Sequence, residues 1–142
     1  MILEKGVLLE DIEKTLEWDQ PVEKLAENID CQKVVLADRT IYLWGSHKIL
    51  NNLDVDLETS YWLNENKRLL KSIRHIAVGD DTALSEFERI SKHLIGELGK
   101  PKVADNKNEF EKSWQWEIGE IQIHLYLFEQ HAFKLHLTIT KK

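Results

Sequence analysis

The segment from Trp114 to Thr140 alternates apolar and polar residues almost without interruption, and no other feature of the chain restricts its fold so tightly. Trp114, Trp116 and Ile118 share one parity. Beyond a turn centred on Gly119 and Glu120 come Ile121, Ile123, Leu125 and Leu127, and after a second turn Phe133, Leu135, Leu137 and Ile139. A period of two sustained over this length marks antiparallel strands that bury one face and present the other. The presented residues are then Gln115, Glu117, Gln122, His124, Tyr126, Lys134, His136, Thr138 and Thr140, which suit a binding surface better than a catalytic cleft.

The remainder reads as an ordered mixture of helix and strand. Between Asp80 and Pro101, Leu84, Phe87, Ile90, Leu94, Ile95 and Leu98 recur at three- and four-residue spacing and form one apolar stripe that must lie on a sheet. Asp80, Asp81 and Thr82 offer caps at its start, and Gly99 with Pro101 ends it. Glu10 to Asn28 carries Ile12, Leu16, Val22, Leu25 and Ala26 at loosely helical spacing, interrupted by Pro21, so two short helices or one bent helix are expected there. Lys33–Leu36 and Thr40–Trp44 form a hairpin around Asp38 and Arg39. Asn51–Asn66 fits either a strand with an irregular end or an exposed loop, Leu69–Val78 is a strand, and the polar Lys102–Ser113 is an excursion at the end of the sheet. These elements predict an α+β fold: an antiparallel sheet of about five to six strands, with a long helix and an N-terminal helical segment packed on one face. A chain of 142 residues, 42% of them hydrophobic, is expected to form a single domain over 1–142.

Charge narrows the partners. With 25 acidic and 19 basic residues the formal charge is −6, which repels nucleic-acid phosphates and anionic membranes and favours a basic partner, and which also serves solubility. The single cysteine, Cys31, precedes an apolar strand and is expected to be a small buried thiol in a reducing compartment. The start of the chain lacks the basic front and long apolar centre of a secretory signal, and no stretch reaches the roughly 20 apolar residues of a membrane helix. A cytoplasmic location is the expectation.

A search for chemistry mostly eliminates it. The chain has no glycine-rich phosphate loop, no CxxC pair, no HExxH and no GxSxG. No cofactor, no metal and no catalytic residue is therefore assigned, and the protein is read as non-enzymatic. With the second turn centred on Gln130, His124 would lie opposite His136 with Glu117 nearby, a set that could hold zinc but that is read as ordinary surface histidines. His93 falls on a polar helix flank, and His75 on a strand beside Ile73 and Ala77 reads as a core or boundary residue. Trp44, Trp114 and Trp116 read as packing residues, whereas Trp18 and the Tyr61–Trp62 pair have acidic, polar surroundings. An aromatic rimmed by Asp54, Asp56, Glu58 and Glu65 is a plausible anchor for a basic protein, so Asp54, Asp56, Glu58, Tyr61, Trp62 and Glu65 form the candidate partner-binding segment. In an extended segment Tyr61 and Trp62 point to opposite sides.

The hairpin around Val34–Trp44, the helix ending in Leu98-Gly99-Lys100-Pro101 and the tryptophan-rich terminal meander together resemble, in organisation, the small acidic α+β immunity proteins of bacterial polymorphic and contact-dependent toxin systems. The resemblance implies a cytosolic protein that binds a cognate, basic toxin domain and neutralises it by covering its active site or substrate entry. Three further classes stand beside it: a secretion or effector chaperone, a small-molecule-binding domain and, least favoured because its acid-base residues are scattered, an enzyme.

Overall fold

The computed structural model describes residues 3–142. Its elements are β1 (Gly6–Leu9), β2 (Lys14–Glu17), α1 (Val22–Asn28), β3 (Gln32–Val35), β4 (Arg39–Ile49), β5 (Leu53–Trp62), β6 (Ser72–Val78), α2 (Asp80–Leu98), β7 (Val103–Asn108), β8 (Glu111–Ile118), β9 (Ile121–Gln130) and β10 (Ala132–Lys141). β1 and β2 form a two-stranded sheet; the other strands form an eight-stranded sheet in the order β3-β4-β5-β6-β10-β9-β8-β7. The predicted five to six strands with a helical N-terminus are thus replaced, among the described residues, by ten strands and two helices. None of the helices among the described residues is long and apolar enough to cross a membrane.

Two misreadings account for the difference. Glu10–Asn28 was expected to be helical, but Leu16 is buried in β2 opposite Val7, and Glu13 and Asp19 take positive φ values of 54° and 64° on either side of that strand. Apolar residues four apart fit a helix and a strand alike when a turn lies between them. Only Val22–Asn28 is helical, beginning directly after Pro21, whose missing N–H costs nothing at a helix start. The second misreading is 102–113, which forms β7 and the first residues of β8. β7 is an edge strand exposed along its whole length, so its sequence carries no burial pattern to read. Asn51–Asn66 takes the first of its two expected forms, a strand: β5 runs to Trp62 before the chain leaves the sheet.

The chain divides into two compact units, one running to Ile73 and taking in Lys141, the other Arg74–Thr140 with Lys142. In the first unit, Val7, Leu9, Leu16, Val22, Tyr42, Ile49 and Leu70 are fully enclosed. The Tyr42 ring stacks against Trp44 and meets Tyr61 edge-on, and its hydroxyl donates to Glu23 of α1. Trp18, expected to be hard to bury, lies in this core because its indole N–H reaches the carbonyl of Leu3 at 2.9 Å. A one-residue bulge interrupts the β4–β5 ladder between Leu43 and Gly45, where Gly45 takes a φ of 89°.

In the second unit, α2 buries Ala83, Phe87, Ile90, Ser91 and Leu94 and packs on β9. Ile95, counted in the predicted stripe, is exposed on the helix flank. The expected side-chain cap is absent: the helix starts after Gly79 without one, and Asp80 instead accepts the N–H of Phe133 at 3.1 Å. Gly99, at φ 82°, closes the other end with its N–H on the Ile95 carbonyl, as predicted. Ile121, Ile123, Leu125, Leu127, Leu135, Leu137 and Ile139 all point into the core, on the parity read from the sequence. Ile118 pairs with Ile121 across a two-residue loop with Gly119 first at φ 60°.

Candidate interaction surface

Period-two geometry sorts the candidate segment onto two faces. Leu53, Val55, Leu57, Thr59 and Tyr61 point into the first unit's core, while Asp54, Asp56, Glu58, Ser60 and Trp62 point out. Tyr61 is therefore a core residue rather than a contact residue. Its hydroxyl donates to the Leu69 carbonyl at 3.0 Å, and burial pushes its pKa up to about 12. Trp62 is 58% exposed at the end of the strand. Glu65 sits one turn beyond and accepts the Trp62 backbone N–H at 3.0 Å, which fixes where the chain leaves the sheet.

The acids are arranged by the β4 bulge. Before it Leu43 lies across from Glu58; after it Ser46 faces Asp56 and Lys48 faces Asp54. Without the extra residue, Gly45 would take the place across from Asp56, and the lysine would turn to the other face. Lys48 pairs with Asp54 at 2.8 Å and Ser46 donates to Asp56. An ion pair this exposed contributes little, so Asp54 can exchange Lys48 for another cation at small cost. Three acids on alternate positions make a negative row roughly 13 Å long.

Sequence reasoning missed part of the apolar end of this face. Leu63 and Leu36 are exposed, the Leu63 N–H reaches the Asp38 carbonyl at 3.1 Å, and the Leu36 N–H reaches that of Arg39 at 2.8 Å. Arg39 itself pairs with Trp62 across the β4–β5 ladder. Trp62 thus stands at the same end of the sheet as two exposed leucines. Leu36 follows Val34 and Val35, and Leu63 follows Tyr61 and Trp62, so each reads as the end of an apolar run and the sequence carries no signal of its exposure.

The outward face of the second unit is the other candidate, and its contents differ. His124, Tyr126 and Phe128 of β9 stack in a row, with ring centroids 5.6 and 4.6 Å apart and planes within 13° and 18° of parallel. His136 of β10 meets Phe128 edge-on at 5.1 Å. β9 ends at Gln130 and β10 begins at Ala132, so the turn is centred on His131, one residue beyond the expected centre. Glu117 does not approach the histidines: it lies across from Gln122 and is bound by Lys102 and Lys142, which hold its carboxyl down at about 2. Among the described residues, no three metal-ligating side chains converge.

Burial lowers the pKa of both His124 and His136, the latter with help from Arg74 and Lys134. His124 Nε2 lies 2.7 Å from Ser113 Oγ. An imidazole beside a hydroxyl is half of an activated nucleophile, but among the described residues no carboxylate holds the other imidazole nitrogen. Cys31 is only partly buried, and desolvation raises its pKa, the opposite of what a reactive thiolate needs. Comparison of the chain with family models, with curated proteins and with solved structures finds no match.

Proposed function

We propose that this protein is a non-catalytic protein-binding domain whose docking surface is the outward face of β4 and β5, and that its partner is basic. The observation that carries this reading is the placement of Asp54, Asp56 and Glu58 on the same exposed face as Trp62. The acids draw a cationic surface in from about a Debye length, and the tryptophan, with Leu36 and Leu63 beside that end of the sheet, gives it an anchor that excludes water. The resemblance to immunity proteins supplies the class of partner: a toxin domain with a basic active-site surface, neutralised by being covered.

Photo-crosslinking tests the reading. A photoreactive phenylalanine derivative at position 62 should capture one basic protein in the native host, while the same residue at exposed Lys24 on α1 should not. With the partner in hand, Asp54→Asn, Asp56→Asn and Glu58→Gln together should slow association and flatten its salt dependence, and Trp62→Ala should mainly speed dissociation. If the captured protein is a toxin, co-expression should rescue growth. Equal capture from both positions, or rescue undiminished in the combined variant, would place the interface elsewhere.

A further inference from the structure

A cavity of about 210 Å³ opens on the outward face of the second unit, lined by Asp105, Lys107, Glu111, Ser113, His124 and Tyr126. The ladder explains why these residues meet. Asp105 pairs with Ser113 across β7–β8, and Ser113 pairs with Tyr126 across β8–β9, so three adjacent strands contribute to one row.

The lining sets two carboxylates against one ammonium, and Ser113, His124 and Tyr126 can each accept a hydrogen bond as well as donate one. The Asp105 carboxylate makes no hydrogen bond or ion pair with another described residue. Glu111 is held loosely: the Tyr126 hydroxyl is 3.5 Å from it and the Lys107 ammonium 3.7 Å, whereas Lys142 approaches Glu117 to 2.5 Å. Good hydrogen bonds to a carboxylate are shorter by about half an ångström or more, so most of the acceptor capacity of Glu111 is unspent. The Ser113 and His124 pair completes the rim.

We propose that this cavity binds a guanidinium group. Two carboxylates exclude a small anion, and an apolar guest would leave every polar group on the rim without a partner. A compact ammonium could satisfy one carboxylate. Acceptors spread over three strands, each about 4.8 Å from the next, match the planar fork of five N–H donors that a guanidinium presents. Lys107, exposed and loosely bound, is the cation that the guest displaces. Burial lowers the pKa of His124 and so disfavours the charged form that would repel the guest. The aromatic row covers both faces of the Tyr126 ring, leaving its edge and hydroxyl toward the cavity. This site is separate from the β4–β5 docking face and stands or falls independently of it.

Guanidinium can come from free arginine or from an arginine side chain within a protein, and one titration distinguishes them. The ring protons of His124 and Tyr126 are followed by NMR while N-acetyl-argininamide, free L-arginine or N-acetyl-lysinamide is added to the full chain. Saturable shifts with the capped arginine, about tenfold weaker with the capped lysine, are expected. Free L-arginine binding more tightly than the capped form would identify a small-molecule site; the reverse order would identify a peptide side chain. Asp105→Asn with Glu111→Gln should weaken binding at least about tenfold, and Lys107→Ala, which removes the competing cation, should tighten it by about threefold. Absence of saturable shifts, equal response to lysine, or indifference to the carboxylate changes in a variant whose methyl spectrum is unaltered would overturn the proposal.

Discussion

The two compact units solve the same problem with different material. Each must cover the inner face of its strands, and among the described residues each has one helix to do so. In the second unit α2 is 19 residues long and carries an apolar stripe, so a single element suffices. α1 has only seven residues and buries just Val22 and Leu25 on its inner side, too short to be stable without tertiary contacts. The first unit makes up the difference with the β1–β2 hairpin, whose Val7, Leu9 and Leu16 are fully enclosed, and with a tyrosine on its sheet that reaches out to the helix. A short helix is tolerable when other elements complete the core.

The outward faces differ as well. The first unit presents acids and an exposed tryptophan, the second a closed aromatic row with two histidines of lowered pKa. Lys141 and Lys142 link the two accounts, since neighbouring residues serve different units: Lys141 joins Lys71 on Asp19, and Lys142 joins Lys102 on Glu117. In each case the paired lysines lower the carboxyl pKa. Stability from a carboxylate depressed in the folded state is present above its unfolded pKa and is lost as pH falls through the folded value, so for Glu117 the loss spans the interval from the ordinary carboxylate range down to about 2.

The largest test of the comparison is Leu94→Ala. Leu94 is fully buried under α2, so truncation should cost the upper part of the roughly 2–5 kcal/mol range for a buried leucine. Hydrogen exchange should show the loss first in the second unit. Leu98, only partly buried at the helix end, should cost clearly less in the same denaturant melts, and equal losses would mean that the helix seats deeper than described.

Gly6→Ala probes the first unit's hairpin. A Cβ at position 6 would stand 2.1 Å from the carbonyl oxygen of Leu16, which is backbone and cannot rotate away. The expected cost is about 3 kcal/mol, with lost exchange protection concentrated in β1, β2 and α1. Unchanged protection there would show that the hairpin is not needed to complete the core.

Tyr42→Phe removes the hydroxyl that ties β4 to α1 while keeping the ring. A loss of about 1 kcal/mol, visible as earlier exchange of the α1 amides, is expected.

The smallest effect is a pH slope in the second unit. Because His124 and His136 have folded pKa values below the unfolded value of 6.5, the unfolded chain binds more protons in the window just below 6.5. Stability should therefore fall as pH drops through that window. Replacing both by glutamine should flatten this part of the profile, and an unchanged slope would place its origin in other groups.

The sequence alone determined the elements in which burial leaves a periodic trace: α2 with its glycine stop, the β8–β9–β10 parity, the β3–β4 hairpin, and the opposed directions of Tyr61 and Trp62. Tertiary structure alone decided the rest. β7 is exposed along its length and leaves no pattern, and Leu16 acquires its meaning only from Val7 across a turn. The bulge that aims Ser46 and Lys48 at the acid row is a property of two strands together, and the cavity on β7–β9 collects residues up to 21 positions apart. Local periodicity records which side of an element is dry. Which elements meet, and which side chains they bring together, depends on pairing across the sheet, and one strand's sequence does not carry that information.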